Sequence, residues 1–169
     1  MVDKVYPGDA ATPAQVQALA DEYRRASLML LELGRPRAPL TRAPFRLTAI
    51  HAVELYLNAF LPRRGHTPAD IRGLQHDLCA RFDLASAGGL RLRQKTAAHL
   101  RDVSAAREYL TTRYGPELSA TMSQINRLVA TLEEVADKVA KDAAIDPAGA
   151  QILKPTSVSS QSDAACYGR

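Results

Sequence analysis

The sequence predicts an all-α fold: an antiparallel bundle of four to five helices followed by a disordered C-terminal tail. Three observations carry this. Apolar residues recur at spacings of three and four over long stretches, the period of a helix with one buried face. Aromatic residues make up 5% of the chain and Trp is absent, while Ala, Leu and Arg dominate, a composition that favours helices over strands. The chain is also punctuated by helix starts and stops of recognisable chemistry. With 169 residues it is long enough for one domain with its own core.

The elements follow in order. Residues 1–11 are expected to form a flexible leader. The first helix opens at Thr12 as N-cap, with Pro13 at the first helical position and Gln15 completing a capping box. Its stripe is Val16, Leu19, Tyr23, Ser27, Leu30 and Leu33, and Gly34 and Pro36 stop it. A stiff basic connector leads to a second helix from Ala43-Pro44 to about Leu61, ended by Pro62. The start signal repeats at Thr67, Pro68 and Asp70. One helix is expected from there, with Ile71, Leu74, Leu78, Phe82 and Ala85 as its stripe, up to Gly88-Gly89. A fourth helix begins between Leu90 and Thr96 and carries Leu92, Thr96, Leu100, Val103, Arg107 or Ala106, Leu110 and Tyr114 to the Gly115-Pro116 stop. A fifth carries Leu118, Met122, Ile125, Val129, Leu132, Ala136 and Val139. Residues 12–145 thus form the bundle. Residues 146–169, rich in Ser, Gln, Ala and Gly without periodicity, are expected to be disordered.

Composition excludes several classes. No apolar run reaches 18 residues, so no membrane span is expected. The first ten residues lack a basic region followed by an apolar stretch, so a secretory signal is not expected either. Cys79 and Cys166 lie far apart in unlike surroundings, which suggests neither a disulfide framework nor a zinc site, and the cytoplasm is the expected compartment. Net charge is +4 but uneven. The segment 35–113 holds 14 Lys/Arg against 6 Asp/Glu, a surplus of +8, leaving −4 on the rest. An Arg-rich middle suits phosphate and is the footprint of a nucleic-acid binder; the plain alternative is a solvated surface.

The candidate chemistry centres on 47–78, which holds three of the four histidines: His51, His66 and His76. On a helical wheel Glu54 falls among Ile50, Val53, Leu57 and Leu61, about 40° from the centre of the apolar stripe. Burying a carboxylate is costly unless it is paired, so Glu54 requires a partner from elsewhere or an edge position that meets a ligand. His76 falls off the core stripe of its helix, with Arg72 one turn earlier on the same side, an arrangement able to hold a phosphate. Next to it in sequence stands Asp77. The run Arg91–Arg101 places cations at a helix start, and Arg93 with His99 has the spacing of an acid/base pair for RNA cleavage. Arg113 and Tyr114 close a helix where they can cap its last carbonyls or project towards Glu54. His51 and Glu54 offer two metal-ligand types on one face, but no further carboxylate joins them in the stripe, so no metal and no cofactor are expected. Gly-rich phosphate loops, Cys pairs and Ser nucleophile elbows do not occur.

These residues resemble a known family. The line AIHAVELYLNAFL, the later QHDLCARF and then AREYLTTRYGPEL are similar to the HEPN family (higher eukaryotes and prokaryotes nucleotide-binding) over roughly residues 45–118. The matching pieces are His51-Ala-Val-Glu54-Leu55, Gln75-His76-Asp77-Leu78 and Arg113-Tyr114-Gly115-Pro116. The resemblance implies a helical bundle, usually a homodimer, that meets a nucleotide or RNA. Some members are RNases of toxin–antitoxin or defence systems, and others pair with a nucleotidyltransferase protein. This chain has Asn58 where the family has Lys, and Gly115 splits the R-Y-P motif. No His follows Arg113, so the family's Arg-x4-6-His RNase motif is not intact at its usual place. The expected function is therefore binding of a nucleotide or RNA phosphate, with Glu54, Arg72, His76, Asp77, Arg93, Arg113 and Tyr114 as ligand-binding candidates. The alternatives are a metal-independent RNase using His76 or His99, and a non-catalytic interaction dimer of the antitoxin or adaptor kind.

Overall fold

The structure is a computed structural model that describes residues 6–145. The expected tail, 146–169, and residues 1–5 of the expected leader lie outside the described residues. Seven α-helices and three short 3-10 turns make up the fold, with no strand among the described residues. The helices are α1 (Pro13–Glu32), α2 (Ala43–Phe60), α3 (Pro68–Gly73), α4 (Leu78–Ala87), α5 (Gln94–Ala105), α6 (Glu108–Tyr114) and α7 (Ile125–Ile145).

The core is built around α2. Phe45, Ala49, Ile50, Ala52, Val53, Tyr56, Leu57, Ala59 and Phe60 are all buried, so this helix is apolar on most sides rather than on one stripe. It touches α1, α7, α6 and α4. From α1 it receives the small buried residues Ala20 and Ser27, and the Tyr56 hydroxyl donates to Asp21 Oδ1 at 2.5 Å. α7 supplies Leu128, Leu132, Val135, Ala136 and Val139. An ion pair between Arg24 and Glu133 joins α1 to α7.

Local chemistry explains the boundaries. Both predicted capping boxes form: Thr12 with Gln15, and Thr67 with Asp70, each with Pro at the first turn. The link from α2 to α3 turns at Gly65, whose φ of +87° is in the left-handed region that suits glycine. Three expected helices are corrected. The third breaks into α3 and α4 because Asp77 starts a new helix as N-cap, accepting from the Ala80 N–H at 3.0 Å. The fourth breaks into α5 and α6 at Arg107, which adopts φ +50°. The fifth starts at Ile125, after a 3-10 turn at Pro116–Leu118. In each case the apolar stripe runs straight through the break.

Two arginines from the basic middle of the chain lie inside. Arg46 on α2 pairs with Glu108 at the start of α6 at 3.0 Å and also donates to Ser123, while the Ser123 N–H donates to Glu108 at 2.6 Å. This buried pair pins α2, α6 and the loop before α7 together. The other is Arg81. No described helix is long and apolar enough to cross a membrane.

Candidate functional site

The partner that the buried Glu54 requires is Arg81. Its guanidinium lies 3.2 Å from Glu54 Oε1, and its Nε donates to Asn58 Oδ1 at 2.8 Å, one helical turn along α2. The remaining Arg81 N–H groups reach the carbonyls of Ile71, Leu74, Gln75 and Asp77. Arg81 is 2% exposed and ties the α3–α4 break to α2. Within that break Gln75 takes φ +49° and His76 leaves the helical path altogether.

That displacement brings His76 to Glu54. Its Nδ1 lies 3.1 Å from Glu54 Oε2, and its ring stands 5.1 Å from the ring of Tyr109 on α6. A carboxylate is an acceptor only, so Nδ1 carries the proton, and Nε2 is left as an acceptor without a partner among the described residues. The side chain is 42% exposed. It forms a ridge between two open clefts. The larger, about 800 Å³, is lined by Tyr6, Glu54, Asn58, Ile71, Arg72 and Arg81 as well as His76. The smaller, about 210 Å³, lies between the α3–α4 break and the start of α6. An imidazole oriented by a carboxylate, with its other nitrogen facing open space, can accept or donate a hydrogen bond or carry a proton.

The other candidates are placed differently. Arg72 lines the larger cleft, but it is ion-paired to Asp9 and its guanidinium lies 4.8 Å from the Tyr6 ring centre. Residues 6–11, expected to belong to a flexible leader, form a turn that rests on it. Asp77 is the α4 cap and also accepts from the Ser104 hydroxyl at 2.9 Å; the Ala80 N–H and that hydroxyl hold its carboxyl below the usual range. Arg93 and His99 do not meet as a pair on the surface. The N-terminus of α5 already holds an anion, Glu134 of α7, which accepts the Arg93 N–H at 2.6 Å and the Thr96 hydroxyl at 2.7 Å. Burial pushes the Glu134 pKa up, but those hydrogen bonds outweigh it and the net shift is down. His99 is 5% exposed, its Nδ1 is 2.8 Å from the Thr131 hydroxyl, and burial pushes its pKa down. A general acid for RNA cleavage needs access, which this position lacks.

Arg113 lies in a third hollow with Leu40, Thr112 and Met122, and Tyr114 points into solvent. The charge of Arg113 does reach His51, a half-buried ring set edge-on to Tyr23 at 4.5 Å. Burial is the main reason the His51 pKa is lowered; Glu54 opposes this, while Arg113 and His76 add to it. No group of three or more His, Cys, Asp or Glu side chains among the described residues converges on a metal position.

Sequence reasoning missed Arg81, Arg107 and Tyr109 as members of this region. Arg81 carries a recoverable signal, since it sits three residues past Leu78 on the core-facing side of α4. Tyr109 and Arg107 carry none, because their placement depends on the break between α5 and α6. Comparison with protein-family models, with curated proteins and with solved structures found no match.

Proposed function

We propose that this chain is a HEPN-like helical domain that binds a nucleotide or an RNA phosphate on the face around His76, in a toxin–antitoxin or defence setting in the cytoplasm. One observation carries the reading. A half-exposed imidazole, oriented by a buried carboxylate, stands on the ridge between two open clefts in a segment with a surplus of basic residues. The order and spacing of the His51–Leu55, Gln75–Leu78 and Arg113–Pro116 motifs support the same family. That kinship adds a homodimer, and a toxin, antitoxin or nucleotidyltransferase protein as a further partner.

Anisotropy of a labelled single-stranded RNA, titrated with the full chain without metal, tests the proposal. Binding is expected at low salt and should weaken steeply as salt rises, because phosphate contacts release counterions. His76→Ala is expected to weaken it further. A wild-type chain that leaves the RNA free at low salt overturns the reading and leaves a protein-interaction module.

A second reading has its own support. The Glu54–His76 pair has the form of an oriented general base, which favours a metal-independent RNase. Cleavage of the same RNA that disappears in His76→Ala separates this from binding alone. The buried His99 is not part of that reading.

A further inference from the structure

The arginines near His76 are not equivalent. In the larger cleft Arg72 already holds Asp9 and Arg81 already holds Glu54, so an incoming anion there must displace a carboxylate. The smaller cleft differs. Arg107 lines it together with His76, Tyr109 and Gln75, and the Arg107 side chain has no ion pair or hydrogen bond among the described residues. Arg107 is also one of only three non-glycine residues with positive φ among the described residues, and a second, Gln75, lines the same cleft. Non-glycine residues held in this region cost free energy and concentrate at ligand sites. Asp77 stands in the wall, its carboxylate engaged by the Ala80 N–H and the Ser104 hydroxyl.

We infer that the 210 Å³ cleft is a phosphate subsite anchored by Arg107, with the Tyr109 hydroxyl as a second donor and the His76 imidazole in its wall. This rests on the proposal that the domain takes a nucleotide or RNA, and it names where the phosphate goes. A guanidinium fork matches two phosphate oxygens. His76 lines both clefts, so a phosphate on Arg107 leaves the larger cleft for the adjoining nucleoside. The volume accommodates one phosphate group and not a nucleotide, which makes the two clefts consecutive parts of one strand-binding path. Asp77 limits the charge the subsite tolerates.

The test uses inorganic phosphate first, so that it does not depend on RNA binding. Side-chain NMR of His76 is followed during a phosphate titration at constant ionic strength, set by chloride. A saturable shift is expected in the wild type. Arg107→Lys should weaken the apparent affinity about tenfold, the scale of one charge-assisted hydrogen bond, and Arg107→Gly should abolish saturation while raising the melting temperature by relieving the left-handed backbone. Arg25→Ala, on α1 and outside both clefts, should leave the curve unchanged. Asp77→Asn, which keeps a capping side chain, should tighten phosphate. No saturable His76 shift in the wild type, or a curve unchanged in Arg107→Gly, overturns the subsite. Labelled RNA is then titrated into the same proteins. If phosphate saturates through Arg107 but RNA does not bind, the subsite stands and the RNA reading falls.

Discussion

Two buried ion pairs set the terms at the scale of residues. A buried pair is a weak argument for net stability, but removing one partner strands the other charge and is costly, typically about 3–5 kcal/mol. Arg81→Met is therefore expected to destabilise by about that much, since it also frees four backbone carbonyls. Glu54→Gln keeps a neutral acceptor and should cost about 1–3 kcal/mol. Urea unfolding of both variants checks this; equal midpoints for wild type and Arg81→Met would contradict the structure of the α3–α4 break. His51 and His99 add a pH dependence. Burial depresses both pKa values below that of a free imidazole, so the folded state favours the neutral ring. Their contribution is complete above about pH 6.5 and is lost as pH falls through the lower native values. The lowered pKa values of Asp77 and Glu134 act only in the acid range of carboxylates. A lower urea midpoint at pH 5.5 than at pH 7.5 is expected, with a smaller difference in His99→Asn.

Helices tell a different story about what the sequence reveals. Starts marked by a side chain were legible: Thr12-Pro13 and Thr67-Pro68 carry their capping boxes in the sequence itself, and α2 begins at Ala43 and ends one residue before the position expected. Breaks were not. Leu74 and Leu78 keep helical spacing across the gap between α3 and α4, and Val103 and Leu110 keep it across Arg107, so periodicity alone reports one helix where there are two. Asp77 is the available signal, since its side chain can start a helix as an N-cap. The same limit hid the site. Glu54 was legible because its wheel position put a carboxylate among apolar neighbours, but the approach of His76 to it depends on a non-helical stretch. α3 has six residues and no buried side chain, so its amides are expected to exchange with solvent faster than those of α2, measured by native-state hydrogen exchange. Equal protection in the two helices would contradict this packing.

The charge surplus of segment 35–113 also resolves differently over the whole molecule than along the chain. Arg46 and Arg81 are interior, Arg64 holds Asp142, Arg72 holds Asp9 and Arg101 holds Asp83. The net positive charge is unchanged, but the cations left for an external anion are fewer than the sequence count suggests. Arg107 and Arg113 are two of them, and Arg107 shares a cleft with His76. A helical fold organised on α2 thus commits several of its arginines to joining helices and leaves His76 exposed between two clefts. The most direct measurement is the imidazole spectrum of uniformly labelled protein during addition of a short single-stranded RNA at low salt. The account predicts that the Nε2 resonance of His76 moves and saturates while that of the buried His99 stays still. An unmoved His76 in the presence of bound RNA would contradict it.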